Sequence, residues 1–185
     1  MKNKNKENNK TEHVDVCQSL LQQRKIFIYD EITNKFAKKI TKKLYTLDFE
    51  NNSPIQVRIN SGGGSISAGI AIIDAMKDIK SPIVTYISGV ACSMAAIISI
   101  CGDERIMTRN SIWMMHPGSG ANCDYFSFLK DRIKMIDLYE KNMDRILKEY
   151  TKLTKEEIKN MKYGECWYSA STCRKKGIVD KVKML

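Results

Sequence analysis

One stretch of about 30 residues limits this chain more than any other. Ile55-Gln56-Val57-Arg58-Ile59 alternates apolar and polar residues, as a half-buried strand does. Asn60-Ser61-Gly62-Gly63-Gly64-Ser65 then breaks the pattern with three glycines. Residues 66–79 place Ile70, Ile73, Ala75, Met76 and Ile79 at helical spacing. Pro82 then opens a second β-rich run, Ile83-Val84-Thr85-Tyr86-Ile87. Strand, glycine loop, helix and strand in that order make a β-α-β unit, which calls for a parallel sheet.

The rest of the chain extends the alternation. Residues 14–23 predict a short helix and Lys25-Ile26-Phe27-Ile28-Tyr29 a strand. Phe36, Ile40, Leu44 and Leu47 predict a helix over 33–47, ended by Asn51-Asn52-Ser53-Pro54. Gly89 reads as the start of a turn, and residues 93–100 as a buried helix. Strands are expected at 105–107 and 111–115, then a long amphipathic helix over 126–153. Thr154-Lys155-Glu156-Glu157 is a good helix start, and a last small helix ends at Gly177. The expectation is one α/β domain over residues 14–185, preceded by a flexible polar tail at 1–13.

The formal charge is +10, which invites a nucleic-acid reading. The lysines are spread over the chain, many beside acids on helical faces, and no strand interleaves aromatic with basic residues. The expectation is a solvated basic surface, with no nucleic acid as partner. The longest apolar run is far short of the roughly 20 residues that span a membrane, and the basic N-terminus has no apolar stretch behind it. A cytoplasmic or other reducing location is expected. The six cysteines form no C-x-x-C pair and read as free thiols, with no metal site.

Chemistry concentrates at three places. Glycines 62–64 sit between strand and helix, where backbone N–H groups can approach a ligand oxygen. No Lys-Ser/Thr pair follows them, so a Walker A loop is excluded, and the G-x-G-x-x-G spacing is unmet. Ser93 lies in the small-residue segment Gly89-Val90-Ala91-Cys92-Ser93-Met94-Ala95-Ala96, at a predicted strand-to-helix turn. Such a turn exposes Oγ and aims the N–H of Met94 at an incoming carbonyl oxygen. His116 ends a predicted strand before Pro117-Gly118. The other histidine, His13, is in the polar tail, so His116 is the one imidazole placed to act as a base for Ser93.

Together these strings resemble the Clp protease proteolytic subunit family. Ile59-Asn60-Ser61-Gly62-Gly63-Gly64-Ser65-Ile66-Ser67-Ala68-Gly69 is similar to its I-N-S-P-G-G-x-x-x-A-G. Residues 89–95 are similar to G-x-A-A-S-M-G, and Met114-Met115-His116-Pro117 to M-I-H-x-P. Residues 15–21 and 24–27 are similar to D-I-Y-S-x-L-L and R-I-I-F, so the likeness covers about 15–182. It implies a crotonase-like fold of β-α-β units with a long handle helix. It implies Ser93 as nucleophile, His116 as general base, and the N–H groups of Gly64 and Met94 as the oxyanion hole. The family's triad Asp, in R-D-x-F-x-S-A, falls on Glu165 in Gly164-Glu165-Cys166-Trp167-Tyr168-Ser169-Ala170. Glutamate orients the imidazole in some hydrolase triads.

The resemblance also implies a homo-oligomer of two stacked heptameric rings, fed with unfolded protein by a separate ATP-driven AAA+ unfoldase of the ClpX, ClpA or ClpC type. No cofactor is expected in this chain itself. Gly62 in place of the family proline, Gly164 in place of its arginine, and a segment 101–115 two residues short mark a divergent or phage-like member. That leaves other readings open: a phage capsid-maturation protease of the same fold, a catalytically impaired subunit of a mixed ring, or an acyl-CoA hydratase or isomerase of the crotonase fold.

Overall fold

The computed structural model describes residues 16–118 and 126–184. The predicted tail at 1–13 lies outside the described residues, as does most of the segment between His116 and the long helix.

Helix α1 (Val16–Gln22) leads into β1 (Lys25–Ile28). Helix α2 (Asn34–Glu50) starts at Thr33, whose hydroxyl accepts the Phe36 N–H at 3.2 Å, and buries Ala37, Ile40, Leu44 and Leu47 as one stripe. Next come β2 (Ile55–Ser61), α3 (Ile66–Asp78) and β3 (Ile83–Cys92), the unit expected from the glycine loop. Helix α4 (Met94–Ile100) is buried along its whole length. It precedes β4 (Glu104–Thr108) and β5 (Ile112–Met115). The chain continues with α5 (Phe126–Tyr150), α6 (Lys155–Asn160), β6 (Cys166–Ser169), α7 (Ala170–Lys175) and β7 (Lys181–Lys183).

The sheet is parallel in the order β1-β2-β3-β4-β7. It forks at β3. Val84 to Ile87 pair with β4, whereas Val90, Ala91 and Cys92 pair with Ile112, Trp113 and Met114 of β5. Gly89 therefore lies inside a strand and does not end one, which corrects the turn expected there. Its φ of 102° belongs to a bulge, for Ile59 pairs with Ile87 but Ser61 with Ala91. The bulge is pinned from both sides. Ser111 Oγ accepts the Gly89 N–H at 2.9 Å, and Asn60 Oδ1 accepts the Val90 N–H at 3.1 Å. A Cβ on Gly89 would stand 2.3 Å from that Asn60 oxygen.

Two strands escaped the sequence reading. Strand β6 is antiparallel to β5, and β7 closes the edge beside β4. The long helix stops at Tyr150, short of the expected 153, because Thr154 caps a new helix. Its hydroxyl accepts the Glu157 N–H, and the Glu157 carboxylate accepts the Thr154 N–H at 2.8 Å.

The C-terminal strand is tied down by Arg105. Its guanidinium donates to both oxygens of Asp180, at 2.6 and 3.0 Å, to the Gly177 carbonyl at 2.9 Å, and to the Tyr150 carbonyl. The hydrogen bond from Arg105 holds the Asp180 carboxyl below the usual aspartate range, against the opposing effect of burial. A lowered folded value adds stability above the unfolded value, and that stability is lost as pH falls through the folded one. The Asp180 side chain is 39% exposed, so solvent screening shrinks the term. Asp180→Asn should cost about 1–2 kcal/mol at neutral pH after that discount. Urea unfolding followed against pH should show the gap between wild type and variant closing in strong acid. A gap independent of pH would contradict the assignment.

Candidate active site

Ser93 stands at the end of β3 and caps α4 with φ 54° and ψ −124°. Only two non-glycine residues have positive φ among the described residues, and Ser93 is one of them. A side chain forced into that region stores about 1–3 kcal/mol of strain and is held there only by its surroundings. The Ser93 N–H donates to the Met114 carbonyl at 2.9 Å, and its own carbonyl accepts from Ala96 and Ile97. Every residue from 91 to 102 is buried except Ser93. Its hydroxyl makes no cap hydrogen bond with the helix. The backbone thus turns one hydroxyl out of an otherwise closed core segment.

The glycine loop lies against it. A Cβ on Gly63 would be 2.7 Å from the Cys92 carbonyl oxygen, 2.8 Å from Ser93 Cβ and 3.0 Å from the Met94 nitrogen. Gly63 has φ 102°, and its N–H donates to Ser61 Oγ at 3.1 Å. Ser61 Oγ in turn donates to the Asp30 carbonyl at 2.8 Å. Gly64 faces the other way, and a Cβ on it would stand 2.6 Å from the Ile32 carbonyl oxygen. Ile32 and Gly64 form a parallel bridge in which Ile32 donates to Gly63 and Ser65 donates to Ile32. The Gly64 N–H is not used in these bonds. Met94 is the first residue of α4, so its N–H has no intrahelical acceptor. A cleft of about 340 Å³ opens beside the loop, between Tyr29, Asp30 and Glu31 on one side and glycines 62–64 with Val90 on the other.

His116 is the second residue beyond Met114, whose carbonyl Ser93 engages, and it is partly exposed. Strand β6 runs antiparallel to β5, and Met115 with Cys166 is the last pair of their ladder. His116 follows that pair on one strand and Glu165 precedes it on the other, so the ladder brings together two chain ends that are far apart in sequence. The Glu165 side chain, however, is engaged with Trp167. The Trp167 Nε1–H donates to Glu165 Oε2 at 2.9 Å, and among the described residues no hydrogen bond joins Glu165 to His116. The sequence reading missed both Gly63 and Trp167. Gly63 could be told from its neighbours only by knowing which glycine packs on Ser93. Trp167 needed the strand β6, which puts residues two apart on one face.

The cysteines offer no competing nucleophile among the buried positions. Burial pushes the Cys101 and Cys173 thiols up to about 12. Cys92 is raised as well, first by burial and then by the Glu165 charge. Among the described residues no group of three or more His, Cys, Asp or Glu is placed to hold a metal ion. None of their helices is long and apolar enough to cross a membrane.

A protruding hydroxyl, an imidazole two residues from its backbone partner, and unspent amides beside a glycine loop can perform acyl transfer. A model of the Clp protease family matches residues 7–184. The ATP-dependent Clp protease proteolytic subunit 1 of Chlamydia trachomatis serovar D is 32% identical over 180 residues, 90% of each chain. The ATP-dependent Clp protease proteolytic subunit of Deinococcus radiodurans is 31% identical over 179 residues, 91% of this chain and 84% of its own. That of Streptococcus mutans is 30% identical over 174 residues, 91% and 88% of the two chains. The chain belongs to the Clp protease family. It is a serine endopeptidase of the Clp type.

Gly63→Ala tests the packing of the loop on Ser93. The new methyl meets backbone on a residue with φ 102°, so the loop must move away. The variant should lose about 1–3 kcal/mol of stability and react with a fluorophosphonate at least about tenfold more slowly. Gly62→Ala, where nothing lies within 4 Å, should do neither. Equal labelling of both variants would contradict this geometry.

Proposed function

We propose that this chain is the peptidase subunit of a self-compartmentalising protease, which hydrolyses peptide bonds of unfolded proteins delivered by a separate ATP-driven unfoldase. One observation carries the peptidase half of the reading: Ser93 is the accessible residue of a buried segment, on a strained backbone packed against the glycine loop.

In this reading His116 takes the Ser93 Oγ proton as Oγ attacks the substrate carbonyl. The N–H groups of Gly64 and Met94 receive the developing oxyanion. His116 then protonates the leaving amine, and water deacylates the serine by the same route in reverse. Glu165, which precedes the Cys166 that pairs with Met115, orients the imidazole. It does so once its free oxygen turns to the ring, since hydrogen bonds in an empty site often tighten only with substrate.

The assembly half rests on α5. Its C-terminal end buries Ile146 and Leu147, but Ile133, Met135, Ile136 and Leu138 are exposed, Leu138 to 67%. A soluble chain that presents such a helix is best served by covering it with further copies of itself. Two stacked heptameric rings fit that need and place Ser93 inside a chamber. The glycine loop has no phosphate-binding lysine, so ATP is used by the partner, of the ClpX, ClpA or ClpC type. The relatives carry "ATP-dependent" in their names, which supports the same division of labour. Four free cysteines among the described residues suit the cytoplasm or another reducing compartment.

Ser93→Ala and His116→Ala should each lower kcat for a fluorogenic peptide by at least about 10³-fold, with the oligomer mass unchanged by size exclusion. Wild type with a cognate unfoldase and ATP should degrade a protein substrate, and without them only short peptides. Folded protein degraded equally fast without any partner would overturn the compartment reading.

A further inference from the structure

Glu165 must reach His116 with one methylene more than an aspartate has, from an exposed position. A free glutamate side chain there would sample many rotamers, and fixing it costs on the order of 1–2 kcal/mol. The structure supplies a fixed point. Trp113 and Tyr168 stack at 5.7 Å, nearly parallel, on one face of the β5–β6 pair. Met114 and Trp167, opposite each other, therefore share the other face, and His116 and Glu165 are the residues that follow and precede the last pair, Met115 with Cys166. Cys92 pairs with Met114, so it lies on that face as well.

On that face the Trp167 Nε1–H donates to Glu165 Oε2 at 2.9 Å. Indole has a single donor and no acceptor, so it takes one carboxylate oxygen and leaves Oε1 free. The bond is charge-assisted, and stronger than a neutral one. We propose that Trp167 is a positioning residue that holds Glu165 by one oxygen, so that the other meets the His116 N–H. The inference rests on the Ser93-His116-Glu165 reading above. Trp167 touches no reacting atom and acts only through the carboxylate. It is 52% exposed, so the indole is not needed to fill the core.

Trp167→Phe keeps an aromatic ring and removes the donor. In the full-length protein, hydrolysis of a fluorogenic dipeptide amide should show kcat about tenfold lower with KM within about twofold. Glu165→Gln should lose more than Trp167→Phe. Trp167→Phe combined with Glu165→Ala should be no slower than Glu165→Ala alone, because no acceptor is then left at 165 for the indole to hold. Oligomer mass and thermal midpoint, measured on each variant, separate this from unfolding. Wild-type kcat in Trp167→Phe overturns the inference, and so does a full extra loss in the double variant. A faster Trp167→Phe enzyme also overturns it, since the indole would then be withholding Glu165. If wild type gives no Ser93 labelling by fluorophosphonate, the triad reading fails and this inference with it. Normal Ser93 labelling with any of the other adverse results sinks this inference alone.

Discussion

The structure turns on a change of partner along a single strand. For its first half β3 is bonded to β4, and for its last three paired residues to β5. The space between is taken up by the bulge at Gly89, which adds residues to β3 that β2 does not match. Without the bulge, β3 would continue along β4, and the Met114 carbonyl would not reach the Ser93 N–H. The fork is therefore what brings Ser93 to the strand that His116 follows. Its supports are polar and specific. Asn60 and Ser111 each accept one of the backbone N–H groups that the bulge leaves unpaired. Ser111 also shares a hydrogen bond with Thr108, both of them buried.

The same fork explains how Ser93 can keep a positive φ. Strain at one residue persists when neighbouring contacts over-determine it. Behind Ser93, α4 is fully buried, with the Ala96 carbonyl accepting from Trp113 Nε1 at 3.3 Å. In front, the glycine loop closes to within the reach of a missing methyl group. Core packing, the β3–β5 ladder and the loop thus each fix one side of the serine. The cost in backbone energy is small beside the burial of a helix whose three isoleucines and one methionine are each worth about 1.5–3 kcal/mol.

Local pattern in the sequence was enough for much of this. The β-α-β unit, the helix start at Thr154 and the burial of α4 all follow from spacing and residue type. Ser93 and His116 could be singled out because few residues of their kind sit at strand ends. What could not be read was non-local. Strand β6 is four residues long, Cys-Trp-Tyr-Ser, and its half-buried and exposed positions alternate, but three apolar residues in a row hide that alternation in the sequence. Its existence depends on pairing with β5, about 50 residues earlier in the chain. Missing it hid why the chain next to Glu165 pairs with the chain next to His116 and why Trp167 reaches Glu165. Gly89 was misread for a related reason. A glycine after a strand run is a turn signal in isolation, and only the second partner, β5, keeps the strand going.

Helix α5 shows how such non-local needs extend past one chain. A helix packed against a single core shows one apolar stripe. Here Ile146 and Leu147 form that stripe near the base, against the core. Farther out the pattern changes. At about 100° per residue, Ile133, Met135, Ile136 and Leu138 point to well-separated directions around the axis, and all four are exposed. Apolar residues on several sides of a helix call for cover on several sides. One flat partner surface could not provide it. Neighbours approaching from more than one direction could, as they would where subunits meet both within a ring and across two rings. The outer half of α5 is thus poorly explained by the fold of one subunit and well explained by a closed assembly around Ser93.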